Sequence, residues 1–267
     1  MRGIVIGLVL VCASVQAGVP LDAVRAAYEA KEYERAVELA AAVAEKDRDW
    51  DDAQVLKGEA LVRLHRLDDA EAAFRAVVEA KRNHADALVG IGKVLNLKQK
   101  HAEAEVVLRQ HLKADRNHLG ALQELGGMLA AIGRGGEGRT FLLKAWKLDK
   151  KSILTAELLF EVHLEGYNDR TSARKVAEAI VKAHKDRAEG HWMLARLHAA
   201  TGKNADAVEA YVAAAEAEPD RALAHARAAT ACHDAGRKED ALRHYARYVE
   251  LGGKDEDILR RHRELQA

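Results

Sequence analysis

The chain has 267 residues, and its 42 lysines and arginines balance its 42 aspartates and glutamates, so the formal net charge is zero. A neutral chain has no global field that would draw it to nucleic acid or to an anionic membrane. The composition is 49% hydrophobic but only 4% aromatic, and two cysteines are too few for a disulfide scaffold or a four-cysteine zinc site. We therefore expect closely packed, alanine-rich helices and no nucleic-acid partner.

The first residues have the anatomy of a secretory signal peptide. A single positive charge precedes an apolar run at residues 4–11, and small and polar residues then lead to an expected cleavage between Ala17 and Gly18. The run is too short to span a bilayer as a helix. The alternatives to a signal peptide are a buried N-terminal helix or an uncleaved anchor. Acylation of Cys12 is a further alternative, although Val11 fits a lipoprotein signal poorly. We expect an exported protein, periplasmic or secreted, with no stable membrane insertion after cleavage.

From residue 18 onward the sequence repeats with a period of 34 or 35 residues. Small residues at a helix crossing let two backbones approach closely, and apolar residues recur around them at helical spacing. Each unit is therefore predicted to be two helices joined by a short polar turn, and neighbouring units must stack to bury their apolar faces. Two columns of small residues carry the repeat: Gly58, Gly92, Gly126, Ala195 and Ala229, and then Ala36, Ala70, Ala104, Gly138, Ala173, Ala207 and Ala241.

A unit of this length and pattern resembles the tetratricopeptide repeat. The best copy begins at Ala188 and has Ala195, Ala207, Tyr211 and Pro219 in register. The resemblance implies an all-α, right-handed solenoid, or superhelix, of helix–turn–helix units that ends in a helix covering the last unit. The predicted segments are a signal peptide at 1–17, repeat units at 18–50, 51–84, 85–118, 119–152, 153–187, 188–221 and 222–255, and a C-terminal capping helix at 256–267.

Local departures from the repeat carry further expectations. The fifth unit has one extra residue near Gly166–Asp169, and His84 and His118 are expected at a solvent-exposed edge. Five short acceptor side chains before predicted helices are expected to cap free NH groups: Asn83, Asn117, Ser152, Asp186 and Asp220.

Motifs for catalysis, cofactors or metals are weak. The G-x-G-x-x-G run at 133–138 follows a predicted helix rather than a strand, which argues against dinucleotide binding and favours a locally soft helix. The histidines lack the spacing of zinc ligands, as the separation of His191 from His198 illustrates. Cys232 and His233 are adjacent, so their side chains leave a helix in different directions. We expect no enzyme activity, no cofactor and no metal.

In the family that the chain resembles, the first helix of each unit lines a concave groove that binds peptides or partner helices. Here the triplet Glu157, Glu161 and Glu165 would place three carboxylates on one helix face, and Trp192 could anchor a partner. The alternatives are an ordinary solvated face for the triplet and packing between repeats for the tryptophan. The groove residues that the resemblance implies are Glu59, Arg63, Lys93, Asn96, Gln123, Glu157, Glu161, Glu165, Trp192, Arg196, His233 and Asp234.

These residues predict a basic or apolar peptide or helix as the partner. The favoured function is a non-enzymatic protein–protein interaction scaffold of the cell envelope, within an assembly or biogenesis complex. The alternative is an exported binder of a small ligand, a glycan or a metal.

Overall fold

The computed structural model describes residues 20–267, so the predicted signal peptide and its cleavage site at Ala17–Gly18 lie outside the described residues. The described chain is helical throughout, without a strand, which confirms the predicted all-α fold of consecutive helix pairs. None of these helices is long and apolar enough to cross a membrane. The helices are α1 (Leu21–Glu29), α2 (Tyr33–Ala41), α3 (Trp50–Arg63), α4 (Leu67–Ala80), α5 (Ala85–Leu97), α6 (His101–Ala114), α7 (Leu119–Ala131), α8 (Gly135–Leu148), α9 (Ile153–Glu161), α10 (Arg170–Ala183), α11 (Glu189–Ala200), α12 (Asn204–Ala217), α13 (Ala222–Asp234), α14 (Lys238–Glu250) and α15 (Glu256–Gln266), with a π-helical turn at Val162–Gly166.

The chain forms two compact units, the first ending at Val107 and the second beginning at Leu108. In the first unit, Phe74 of α4 is fully buried between two glycines of the flanking helices. A Cβ atom added at Gly58 of α3 would lie 2.6 Å from the phenyl ring, and one added at Gly90 of α5 would lie 2.5 Å from it. The glycines therefore leave room for the aromatic side chain that closes the gap between neighbouring helices.

In the second unit, α7 and α8 cross at glycines. A Cβ atom added at Gly138 would lie 2.6 Å from the carbonyl oxygen of Gly126 and 2.8 Å from the nitrogen of Ala130. The backbones themselves are therefore in contact at this crossing. The last glycine of the G-x-G-x-x-G run thus serves helix packing, and α7 rather than a strand precedes the run.

The extra residue of the fifth unit coincides with the π-helical turn that extends α9. One additional residue per turn is the geometry of a π-helix, which lets a helix absorb an insertion without losing its hydrogen bonds. The turn buries Val162 and His163, and the His163 Nδ1 atom lies 3.5 Å from a carboxylate oxygen of Asp169. The chain then reverses through Asn168, which adopts a positive φ of 51°.

The predicted helix caps were right only at Ser152, whose hydroxyl accepts a hydrogen bond from the main-chain NH three residues on, at 3.2 Å. His84 and His118 cap α5 and α7 instead, since their Nδ1 atoms accept the corresponding bonds at 3.4 and 3.2 Å. Both histidines are therefore half-buried rather than placed at a solvent-exposed edge. The physical reason is that an imidazole nitrogen can take the place of an Asx oxygen when its residue has the extended backbone of an N-cap. The other predicted caps lie one or two residues before the observed ones: Asn83, Asn117, Asp186 and Asp220.

The last helix, α15, covers the end of the second unit. Ile258 and Leu265 pack against the core of the final helix pairs, and the ring of His262 stacks on Tyr245 at 5.6 Å. Asp255 caps the helix by accepting bonds from two main-chain NH groups at 3.0 and 3.1 Å.

Candidate functional site

The residues that were predicted to line the groove lie on the first helices of successive pairs. Every member of the set is at least partly exposed except Trp192, which is buried. Glu59 and Arg63 lie on α3, Lys93 and Asn96 on α5, Gln123 on α7, Glu157 and Glu161 on α9, Glu165 in the π-helical turn, Trp192 and Arg196 on α11, and His233 and Asp234 on α13.

In the first unit, the predicted residues bind one another or near neighbours. The ammonium group of Lys93 donates to Glu59 at 2.8 Å, which joins equivalent positions of two adjacent first helices. The amide oxygen of Asn96 lies 3.1 Å from the Nδ1 atom of His101. Arg63 is exposed near the end of α3. This part of the surface is therefore close to charge balance.

Three predicted residues of the second unit are engaged in similar bonds. The amide of Gln123 donates to the hydroxyls of Ser152 and Thr155 at 2.9 and 2.7 Å. Further along, the Nδ1 atom of His233 lies 3.1 Å from the Tyr245 hydroxyl. Asp234 accepts a hydrogen bond from the guanidinium of Arg261 on α15 at 2.8 Å. These bonds fix neighbouring helices relative to one another within the unit.

Arg196 neutralises two of the three carboxylates in the predicted acidic triplet. Its guanidinium donates to both oxygens of Glu161, one of them at 3.0 Å, and to Glu165 at 2.8 Å. Glu157 has no cation within salt-bridge distance among residues 20–267, and it is exposed. Although its side chain reaches solvent, partial desolvation by neighbouring atoms and repulsion from Glu189 and Glu161 raise the pKa of Glu157. The uncompensated acidic site is thus one carboxylate rather than three.

Trp192 packs between repeats, the alternative that the sequence left open. Its side chain is only 9% exposed, and the guanidinium carbons of Arg221 and Arg227 lie over its ring, 4.3 and 4.2 Å from the ring centroid. This geometry gives two cation–π contacts to the indole. The indole Nε1 atom is buried without a hydrogen-bond partner. Trp192 is therefore covered by two guanidinium groups rather than directly exposed.

A buried carboxylate holds this arrangement in place. Glu189 is 7% exposed and accepts from Arg187 at 3.0 Å and from Arg221 at 2.9 Å. Burial opposes ionisation, but the two guanidinium groups outweigh it and lower the pKa of Glu189 to about 2. Arg221 stands about one repeat after Arg187 and Glu189, so no short sequence motif contains all three residues.

A cavity of about 630 Å³ opens between α13 and α15 in the second unit. Leu223, Ala226, Thr230 and Asp234 recur every three or four residues, so one face of α13 forms a wall of the cavity. Tyr211, Tyr248 and Ile258 contribute apolar surface from α12, α14 and α15.

The rim of the cavity offers both polar and apolar contacts. Arg227 is exposed there, and it has no carboxylate within salt-bridge distance in the described chain. Leu223 is 47% exposed and adds apolar surface to the rim. The cavity can therefore accept an apolar side chain while Arg227 meets a polar or anionic group.

Sequence reasoning identified only Asp234 in this cavity. Ala226 stands 34 residues after Trp192, and Trp192 stands 35 residues after Glu157, so the three occupy equivalent positions on successive first helices. The repeat register therefore places Ala226 on the same surface as Glu157 and Trp192. Alanine and threonine suggest no binding chemistry by themselves, so the residue types alone do not indicate this cavity.

Two buried histidines form a separate polar contact in the same unit. The Nδ1 atoms of His225 and His244 lie 3.0 Å apart, and burial lowers the pKa of both, to about 4 for His244. No group of three or more His, Cys, Asp or Glu residues in the described chain is arranged to hold a metal ion.

Comparisons with known proteins agree with this architecture. The family model described as tetratricopeptide repeat matches residues 21–81, 55–118, 166–211 and 193–256. The fold resembles that of a tetratricopeptide repeat protein from Parabacteroides merdae, with 13% identity and a TM-score of 0.60 over 92% of this chain and 97% of that chain. It also resembles PilF from Pseudomonas aeruginosa, with 19% identity and a TM-score of 0.59 over 81% and 96% of the two chains. No curated protein has a significantly similar sequence.

Proposed function

The chain belongs to the tetratricopeptide repeat family, and on that premise we propose that it is a non-enzymatic scaffold that binds a segment of a partner protein. The repeat fold supports a role in protein–protein interaction. The observation that carries the proposed site is the cavity beside α13, with exposed Leu223 on its rim. Its volume lies within the range of about 300–1,000 Å³ that is usual for binding pockets.

The proposed partner segment has an apolar side chain for the cavity and a basic side chain for Glu157. Ala226 in the cavity wall and Glu157 occupy equivalent positions two repeats apart, which corresponds to roughly 20 Å when neighbouring helices lie about 10 Å apart. A helical segment covers this distance in about 13 residues, at 1.5 Å per residue. The segment is therefore a basic or apolar helix or peptide, as the sequence predicts.

The proposed setting is the cell envelope, in an assembly or biogenesis complex. This part of the proposal rests on residues 1–17, whose charge, apolar run and small residues fit a secretory signal. Expression of the full chain in a bacterium, fractionation and mass spectrometry of the product test it. A mature N-terminus at Gly18 in the exported fraction supports the proposal, and a full-length product confined to the cytoplasm contradicts it.

Affinity capture from an envelope fraction tests the binding site. The variant Leu223→Glu places a charge on the cavity rim, and Glu157→Lys reverses the proposed contact with a basic side chain. Val249→Glu is the matched control, because Val249 is 43% exposed on α14 of the same terminal pair and does not line the cavity. We expect a partner that the unsubstituted protein and the control retain and that both site variants lose.

Two results would contradict the proposed site. A partner that binds all variants equally must use another surface. A tightly bound small molecule in native mass spectra of the purified protein, displaced by Leu223→Glu with no protein partner captured, would instead favour the small-ligand or glycan alternative.

A further inference from the structure

Six basic residues recur along the second helices of three successive pairs in the second unit. The first set stands in the last turns of α6, α8 and α10, and the other set follows each member three residues later. All six side chains are exposed. We call them the basic ladder: Lys113, Lys147 and Lys182, and then Arg116, Lys150 and Lys185.

The basic ladder forms no salt bridges. None of its six members has a carboxylate within salt-bridge distance in the part of the chain that the structure describes. Three aspartates, Asp115, Asp149 and Asp186, lie in the same turns and keep their negative charge. The first two accept hydrogen bonds from the main-chain NH groups of Asn117 and Lys151, at 3.0 and 2.8 Å. Residues 144–151 alone contain four lysines and one aspartate. The zero net charge of the chain therefore conceals a strongly basic strip.

Helix stability alone does not account for this strip. Lysine in the last turn of a helix is favoured by the partial negative charge there. However, Arg116, Lys150 and Lys185 lie beyond the helix ends, and the equivalent helices α4 and α12 have no basic residue in their last turns. Glu79 and Glu216 occupy the positions of the first set of ladder lysines in the units before and after, whereas Arg82 continues the other set by one unit. The first set is thus confined to three repeats and bounded by acidic residues.

Shallow clefts with apolar walls adjoin both ends of the basic ladder. At one end, Leu112 and Phe141 line a cleft of about 270 Å³ together with Lys113 and Arg116. Each cleft therefore combines two ladder cations with apolar surface, an arrangement that suits a chain with both acidic and apolar side chains.

At the other end, Val181 and Leu194 line a cleft of about 380 Å³ together with Lys182 and Lys185. The one acidic side chain of that cleft, Glu178, pairs with Arg174 at 3.8 Å. Lys182 and Lys185 therefore make the electrostatic potential of this cleft positive.

We propose that the basic ladder docks an extended acidic segment of a protein partner, with apolar side chains of that segment entering the two clefts. Charge complementarity selects the acidic segment, and the apolar walls favour a peptide over a phospholipid surface or a nucleic acid. Three helices about 10 Å apart span roughly 20 Å, which an extended chain covers in about six residues. This surface lies on the second helices, so it is separate from the cavity beside α13 and takes a partner of opposite charge.

Fluorescence anisotropy with a labelled peptide tests the proposal. The probe is a peptide of about ten residues that consists of glutamates and two leucines, and the control peptide has glutamine in place of each glutamate. The probe is expected to bind the unsubstituted protein at low salt, and this binding is expected to weaken steeply between about 0.05 and 0.5 M NaCl, because exposed ion pairs are screened. The glutamine peptide is expected not to bind.

A set of four alanine substitutions localises the binding. The combined Lys147→Ala, Lys150→Ala, Lys182→Ala and Lys185→Ala variant is expected to bind the probe about tenfold more weakly, since four modest ion pairs are lost. The matched control has the same charge change at exposed lysines outside the ladder: Lys31→Ala, Lys46→Ala, Lys203→Ala and Lys238→Ala. It is expected to bind like the unsubstituted protein.

Three outcomes overturn the proposal. They are equal weakening in both variants, salt-independent binding of the probe to the unsubstituted protein, and binding of phosphatidylglycerol vesicles or a single-stranded oligonucleotide without binding of the peptide. The salt series uses the unsubstituted chain, so it decides the matter even if a substituted chain fails to fold. Loss of the cavity partner in Leu223→Glu does not affect these results.

Discussion

The crossing of α7 and α8 gives the sharpest prediction about stability. Gly138 lies on the inner face of α8, where an added Cβ atom would be 2.6 Å from the Gly126 oxygen, 2.8 Å from the Ala130 nitrogen and 3.2 Å from the Ala130 Cβ atom. The two closest atoms belong to the backbone, so no side-chain rotation can relieve the contact. The substitution Gly138→Ala must therefore push the two helices apart.

The expected magnitude follows from two opposing effects. Overpacking of a close contact costs about 1–3 kcal/mol. Alanine in place of glycine inside a helix returns up to about 1 kcal/mol through propensity. We expect a net loss of about 1–2 kcal/mol, which for a chain of this size corresponds to a fall in the melting temperature of roughly 2–8 °C.

Gly135→Ala is the matched control. A Cβ atom at Gly135, at the start of the same helix, would lie 3.9 Å from Tyr167, which is an ordinary contact. It is expected to leave the melting temperature unchanged or to raise it slightly. Thermal melting followed by circular dichroism measures both variants, and hydrogen exchange across residues 126–142 shows whether the loss is local, as expected for an array of repeats.

A Gly138→Ala protein that melts at or above the temperature of the unsubstituted chain would refute the packing argument. The same exchange data test whether the glycine run makes the helix locally less stable. This prediction would be contradicted if amide exchange at 126–138 in the unsubstituted chain is no faster than in the flanking repeats.

Three further predictions concern buried groups of the second unit. The folded pKa values of His225 and His244 lie below the usual histidine value, so the unfolded chain binds more protons than the folded chain. The contribution of these histidines to stability is therefore full above about pH 6.5 and falls towards pH 4. The melting temperature should drop between about pH 7 and 4.5, and a flat profile would contradict this. Glu189→Gln should cost about 1–3 kcal/mol in urea unfolding, because it removes a buried charge from two guanidinium groups, whereas the exposed Glu165→Gln should cost much less. Burial raises the pKa of Cys232, so a thiol reagent should modify it only after denaturant is added, and rapid modification of the native chain would show that it is accessible.

The helical architecture could be predicted from the sequence because it depends on local and periodic information. The small residues of the two columns, such as Gly126 and Gly138, recur with the repeat, and each can be recognised without knowing which atoms it touches. The π-helical turn also left a sequence signal, namely the one extra residue of the fifth unit. By contrast, the predicted caps Asn83 and Asn117 were wrong, because His84 and His118 cap the two helices. An imidazole nitrogen can act as the cap acceptor only in an extended backbone conformation, which cannot be read from the sequence.

The character of the candidate site depended on contacts between repeats. Arg196 pairs with Glu161 and Glu165, which precede it by 35 and 31 residues, and this pairing reduced the predicted acidic triplet to a single open carboxylate at Glu157. The sequence predicts that Trp192 could anchor a partner, but the tertiary structure places two guanidinium groups over its ring.

By itself, the sequence determined that this protein is a row of helix pairs with balanced charge, because a fixed period of small and apolar residues admits few other ways to bury a core. Only the tertiary structure decided which charges meet, which aromatic ring is covered, and that a cavity opens between α13 and α15. Those outcomes depend on how side chains from residues about one repeat apart are brought within a few ångströms, and a repeat period places them in register without fixing which of them touch.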